Sequence, residues 1–304
     1  MTFATGGFHG LRYAVETTWG VIPDTPEMVK LRHKPTCSLG LSKETNQSAE
    51  LRDDRQITDF RHGPQKIDGD IEFEFSYGEY DPILEGALFG TWTTNVLKAG
   101  TTAKSFVFER AFADIGQYGV FTGDMVKTTK FSVKPNEVIS GTFSLIGKGG
   151  SYSSSPLDAS PTASQTNLPF DSFTGELSEG GSTLAVATGL ELTLENNLET
   201  IYALFSNQAA GVIPGRSSLS GTLSASFENL ALLNKFINEV ESSLQFTLGN
   251  GTSKSYTFLI PRLKYSGATN SVKDEKGITL EMPFQALYDA TTGTNFQITR
   301  IPGV

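Results

Sequence analysis

The chain of 304 residues carries a formal net charge of −9 with a pI near 5.0, which argues against clustered cations gripping DNA or an anionic membrane. A hydrophobic content of 38% suffices for one large core or two ordinary ones, and 31 Gly and 21 Phe beside many Ser and Thr favour short strands joined by turns. The single cysteine, Cys37, excludes an internal disulfide and reads as a small buried apolar residue; residues 1–10 give no expectation of a signal peptide, and no run nears the ~18 apolar residues that span a bilayer.

In chain order, an alternating stretch at Leu39 and Leu41 leads into a polar excursion over 42–66, predicted to loop out before an alternating strand over 67–75. Asp81-Pro82, with Ile83, Leu84, Ala87 and Leu88 at one-sided spacing and Gly90 as a stop, predicts a helix. A strand follows at Lys104-Ser105-Phe106-Val107-Phe108. The last alternation of this half runs through Phe131, Val133, Ile139, Phe143 and Leu145 around a turn at Pro135-Asn136. Gly147-Lys148-Gly149-Gly150 reads as a strand exit, and the Ser/Pro-rich stretch 151–167 is too poor in apolar groups to pack, hence a linker.

The second half repeats this order. Leu190, Leu192 and Leu194 alternate, a polar loop spans 195–217, and a strand spans 219–227. A helix starting at Asn229 places Leu232, Leu233, Phe236, Ile237 and Val240 on one stripe that should lie on a sheet. Lys254-Ser255-Tyr256-Thr257-Phe258 repeats the earlier Lys-Ser-aromatic strand at an offset of 150 (254 against 104), and Gly221 repeats Gly69 at 152. Ile278, Leu280 and Met282 then alternate after a turn at 274–277. The predicted architecture is mainly β: two tandem domains, 1–150 and 168–304, joined by 151–167, each with one flanking helix and a long inter-strand loop.

No constellation for catalysis is visible. His9, His33 and His62 are scattered, without the pairing expected of a metal site; Gly147–Gly150 lacks the upstream glycine and following helix of a phosphate loop; no Gly-x-Ser-x-Gly elbow exists, and Cys37 has no histidine in view. Carboxylates are plentiful, yet a glycosidase pair is defined by spatial separation that a sequence does not give. No enzyme activity, cofactor or metal is expected. The sequons at Asn46 and Asn250 carry no meaning without secretion.

One cluster asks for a closer reading. Asp68, Asp70, Glu72 and Glu74 alternate with Ile71, Phe73 and Phe75, so strand geometry sends the acids to one face, and their repulsion requires that face to be wet. The same face of the second half reads Ser218, Ser220, Thr222, Ser224 and Ser226, small and neutral. Either is an ordinary solvated face or the lining of a water-filled bore.

The order of elements resembles the major tail tube proteins of siphophages, related to the inner tubes of contractile tails and type VI secretion. The excursions 42–66 and 195–217 stand where that family has a long loop; the strand with Val138-Ile139-Ser140-Gly141-Thr142-Phe143 and the opening Glu16-Thr17-Thr18-Trp19-Gly20 are similar too. The resemblance implies tail-tube-like β-barrel or sandwich domains, each with one flanking helix, and a structural subunit of the phage virion, assembled in the host cytoplasm. Most of the family build hexameric rings from one domain, so a duplicated chain implies homotrimers with pseudo-sixfold symmetry, stacked into a tube. Lumen-lining residues are then Asp68, Asp70, Glu72, Glu74, Ser220, Thr222 and Ser224. Inter-ring contacts fall on Glu50, Arg52, Asp53, Asp54, Arg55, Asp59 and Arg61. The implied partners are further copies of the chain, a tape-measure protein and transiently DNA in the lumen, and tail terminator and tail-tip proteins, with no membrane. A tail-tip or receptor-binding β module is the alternative; it would show aromatic-rich exposed loops, whereas these look charged and small.

Overall fold

Two ladders of antiparallel strands with one pairing diagram make up the chain. The computed structural model describes residues 3–272 and 277–303. The first ladder comprises β1 (His9–Val15), β2 (Val29–Leu31), β3 (Gly40–Gln47), β4 (Phe60–Glu74), helix α1 (Asp81–Leu88), β5 (Val96–Lys98), β6 (Phe106–Phe112), β7 (Gln117–Val133), β8 (Ser140–Gly147) and β9 (Gly149–Ser153). The second half carries β10 (Gly175–Glu179), β11 (Ser182–Thr183), β12 (Ala187–Glu195), β15 (Ser218–Ser226), helix α2 (Ala231–Ile237), β16 (Ser242–Leu248), β17 (Ser255–Tyr265), β18 (Thr269–Ser271), β19 (Thr279–Ala286) and β20 (Gln297–Ile301), with β13 (Glu199–Tyr202) and β14 (Ala209–Ile213) as a separate two-stranded sheet.

In the first ladder β3 pairs with β4, β4 with β8, β8 with β7, β7 with β6, β6 with β1 and β1 with β2, while β9 takes over from β8 along the first part of β7. In the second the same walk runs β12, β15, β19, β17 with β18, β16, β10 and β11, with β20 in the place of β9. Even the irregularities coincide: the bulge between Phe106 and Phe108 recurs between Ser242 and Leu244.

This diagram corrects one expectation. The Lys-Ser-aromatic repeat does not join equivalent strands: Phe106 opens β6, whereas Ser255 and Tyr256 begin β17, the counterpart of β7. Local chemistry made the two look alike. In both, a serine at the strand entry ties down nearby groups, Ser105 Oγ donating to Glu16 and Ser255 Oγ to Ser253 O. Gly69 and Gly221 do correspond. A side chain at Gly69 (φ 148°) would meet the Leu39 backbone at 2.5 Å, and one at Gly221 the Glu191 carbonyl at 2.4 Å. The excursion over 42–66 is largely a hairpin rather than a loop, with β3 and β4 paired out to Gln47 and Phe60 and a register shift near Pro64, which has no N–H to give. The excursion over 195–217 likewise contains a hairpin, β13 with β14. The predicted turn at 274–277 lies, except for Gly277, outside the described residues.

The stretch over 151–167 is tied to the first ladder. Ser151 to Ser153 sit in β9, Thr162 exchanges backbone bonds with Met28 and Lys30, and Leu157 N–H donates to Glu109, a fully buried carboxylate held by Arg12 at 2.8 Å. Backbone bonds hold what apolar packing alone would not.

The ladders share one core. Phe73 stacks on Phe143 and Phe246 on Phe258, and Phe75 contacts Phe131, Phe170, Tyr256 and Phe258, so rings from both ladders interlock. Pairing crosses as well: β12 continues the sheet along the end of β7, and β20 pairs with β5. Helix α1 begins one residue earlier than predicted, with Tyr80 rather than Asp81 at the cap. Asp81 instead binds the Tyr256 hydroxyl and, at 2.7 Å, Arg300.

Candidate assembly surfaces

Strand pairing fixes which side chains share a face, because directly opposed residues point the same way. Asp70 on β4 lies opposite Ser144 on β8, Glu72 opposite Thr142, and Thr142 opposite Lys130 on β7. Lys130 faces Thr193 on β12, Thr193 faces Ser220 on β15, and Ser220 faces Gln285 on β19. One polar face therefore runs without a break from β3 to β18, eight strands wide. Asp68, Asp70, Glu72 and Glu74 stand toward one side of it and Ser220, Thr222 and Ser224 toward the other. The reverse face carries Ile71, Phe73, Phe143, Phe131, Leu192, Leu219 and Met282 into the core.

The second ladder's share of this face is not neutral. Thr222 and Ser224 are flanked by Glu191 and Glu281, and Ser218 by Glu195. Among the described residues, Lys66 pairs with Asp68 at 2.8 Å, which raises the lysine's pKa, Lys134 reaches Glu191 at 3.0 Å, and Lys34, Lys130 and Lys264 stand beside the same face. Ser144 Oγ donates to Asp70 at 2.5 Å. What results is a broad, wet, predominantly anionic surface.

The tip of the β3–β4 hairpin carries Glu50, Arg52, Asp53, Asp54, Arg55, Asp59 and Arg61, all exposed. Part of that charge is satisfied locally: Arg52 clamps Asp54 with two bonds of 3.1 and 2.7 Å, holding its carboxyl below the usual range, and Arg61 reaches Asp59 at 3.3 Å. Between these charges Leu51 is 100% exposed and Ile57 67%, neither singled out in the sequence. At the tip of the second excursion Leu204 and Phe205 project fully into solvent, Phe205 in the left-handed region at φ 64°. The expectation of small, charged loops therefore fails there. The apolar run Ile201-Tyr202-Ala203-Leu204-Phe205 inside the excursion was the available signal.

His9 and His33, distant in sequence, meet at 3.2 Å. Arg110 Nε donates to His9 Nε2, so His9 gives its Nδ1 proton to His33, and His33 Nδ1–H reaches Lys34 O. Burial, Arg110 and His33 lower the His9 pKa to about 4. Both His9 nitrogens are thus engaged, beside an open groove of about 740 Å³ that Arg12, Lys30, Arg32 and Lys34 also line. His62 stays at the hairpin, against Phe60. Cys37 is half-buried and bridges to Ile71, and burial raises its thiol pKa. Gly147 to Gly150 join β8 to β9, with Lys148 over the Trp19 ring. Among the described residues no cluster of three or more His, Cys, Asp or Glu is placed to hold a metal, and no helix is long and apolar enough to cross a membrane.

Compared with known proteins, residues 9–286 match a family model described as phage tail tube protein. Among curated proteins none matches the chain.

Proposed function

Because the chain belongs to the phage tail tube protein family, a structural component of the virion tail, we propose that it polymerises as stacked rings around a bore through which DNA is delivered. Residues 1–150 and 168–304 are two copies of one tube domain, and three chains make a ring with pseudo-sixfold symmetry. The observation that carries this reading is the continuous polar face, which spans both copies and ends at strand edges with no neighbour among the described residues. Eight strands at ~4.8 Å span an arc of about 38 Å, so three chains close at about 115 Å of circumference, roughly 37 Å across at the backbone before tilt widens it. Closure also removes the edges that would otherwise aggregate.

The acids Asp68, Asp70, Glu72 and Glu74, with the hydroxyls of Ser220, Thr222 and Ser224, line the bore. Like charge keeps the DNA backbone from adhering to the wall while it passes. Before delivery a tape-measure protein occupies the same space, and terminator and tip proteins close the ends. The charged β3–β4 tip, Glu50 to Arg61, touches the next ring, and assembly takes place in the host cytoplasm. Replacing Asp70, Glu72 and Glu74 by Lys is expected to leave tubes of normal width in electron micrographs and to depress infectivity severely; virions that infect normally would remove the lumen assignment.

The exposed Leu204–Phe205 tip favours a second reading, a tail-tip or receptor-binding module. Micrographs of purified protein at rising concentration separate the two, since a tube subunit yields rings or tubes of uniform width and a receptor module does not.

A further inference from the structure

The two helices hold equivalent places. Phe89 and Glu239 end them in the left-handed region at φ 51° and 53°, and Gly90 N–H and Val240 N–H bond back to Glu85 O and Lys235 O, so residues 150 apart correspond. Helix α1 is covered by the chain's own second excursion. Asn196 Nδ2 donates to Ala87 O and Val126 O, both at 2.9 Å, and Leu198 and Val212 pack on Phe89, Met125 and Ile146. Helix α2 has no such cover among the described residues. Ile237, in Ala87's place, is 61% exposed, and where Leu198 and Val212 would sit a cavity of about 420 Å³ opens, lined by Phe236, Ile237, Glu239, Val240, Lys264 and Tyr265.

The corresponding excursion of the first ladder is in the complementary state. The β3–β4 hairpin stands out from the sheet with Ser42 to Gln47 exposed. Strand edges repeat the pattern. Thr193 on β12 pairs with Lys130 on β7; the counterparts are Gly40 on β3, since Gly40 opposes Asp68 as Thr193 opposes Ser220, and Thr269 on β18, since Thr269 opposes Glu281 as Lys130 opposes Thr142. Neither of these edges has a partner strand among the described residues.

We infer that neighbouring copies join through the chain's internal interface used a second time: β3 of one copy pairs antiparallel with β18 of the next, Gly40 opposite Thr269 and Leu41 opposite Ala268, while the base of the β3–β4 hairpin lies over α2 and fills the cavity beside it. This rests on the ring reading above and fixes which edge meets which. One surface meets a different surface of the next copy, the heterologous contact from which rings are closed.

The two versions of the interface differ in chemistry. Inside the chain it is apolar, whereas Phe89, Met125 and Ile146 correspond to Glu239, Lys264 and Gln285 in the second ladder. Lys43 of the incoming hairpin stands in the place of Asn196, so its ammonium arrives at the C-terminal end of α2, beside Glu239 and the helix carbonyls. A polar seam keeps the free subunit soluble, and strand pairing supplies the specificity.

The test uses the full chain with Cys37→Ala, carrying Gly40→Cys and Thr269→Cys together or singly. A side chain at Gly40 has room, its nearest neighbour being Ser38 O at 3.5 Å. The two positions lie at opposite margins of the eight-strand face, some 34 Å apart measured along the sheet of one chain, so a short thiol cross-linker joins them only between copies. Expected is a denaturing-gel ladder that stops at the three-chain band for the double variant and no ladder for either single one. Ile237→Asp is expected to abolish rings while leaving the subunit's thermal midpoint unchanged. Rings without cross-links, a ladder running past three chains, or normal rings from Ile237→Asp would each overturn the inference and leave the tube reading standing. A Cys37→Ala parent that forms no rings at any concentration would overturn both.

Discussion

Helices α1 and α2 share a position in the pairing diagram and differ in what lies on them. Ile83, Leu84 and Ala87 are fully buried, while no residue of α2 is buried. Among the described residues, the same supersecondary unit is thus completed by its own chain in one half and left open in the other. Burial in the first half stabilises the monomer, whereas under the pairing proposed above burial in the second becomes available only on association and adds to assembly instead. Leu84→Ala tests this most severely. It should cost about 2–5 kcal/mol of subunit stability in chemical denaturation, because Leu84 is fully buried in the shared core and its removal leaves a cavity. Ile237→Ala should change the same measurement by less than about 0.5 kcal/mol. Equal losses would mean that α2 is already sheltered in the free chain.

The cover itself comes next in size. Asn196 is 4% exposed, and its amide satisfies one carbonyl of the last turn of α1 and one of β7. Asn196→Ala strands both acceptors and should cost about 1–3 kcal/mol. If instead the variant melts with the parent, the second excursion rests on α1 without holding it, and the contrast with α2 loses its main contact.

Much of this fold could be read from periodicity. The alternation of Ile67, Ile71 and Phe73 against Asp68, Asp70 and Glu72 gave strand, face and burial together, because one side of the sheet is core and the other water. Alternation does not report which strand pairs with which. The Lys-Ser-aromatic repeat therefore aligns β6 with β17, whereas the true counterpart of β6 is the strand with Leu244, Phe246 and Leu248. The apolar stripe of α2 was legible, and its lack of cover was not, since cover depends on an excursion from elsewhere in the chain. The same holds for the face that joins Glu72 to Ser220. Each strand announced its own polar side, and only the β7–β12 pairing made one surface of them.

The smallest effect concerns a residue that sequence patterning passed over. Asp124 is completely buried with neither carboxylate oxygen hydrogen-bonded, and the counterpart in the second ladder is Leu263, since Asp124 opposes Phe106 as Leu263 opposes Ser242. Burial first, and then the charge of Glu16, raise its pKa well above the ordinary carboxylate range. In the unfolded chain the group loses its proton near pH 4. The folded chain keeps the proton to higher pH, so folding binds protons across that window, and stability falls as pH rises through it. Asp124→Asn removes the titration. Relative to this variant, the parent should be favoured most below about pH 4 and lose stability as pH rises toward neutrality, seen by comparing denaturation midpoints over that range. Parallel curves for the two proteins would mean that Asp124 meets a partner or water when folded, and the contrast with Leu263 would then be one of shape and not of charge.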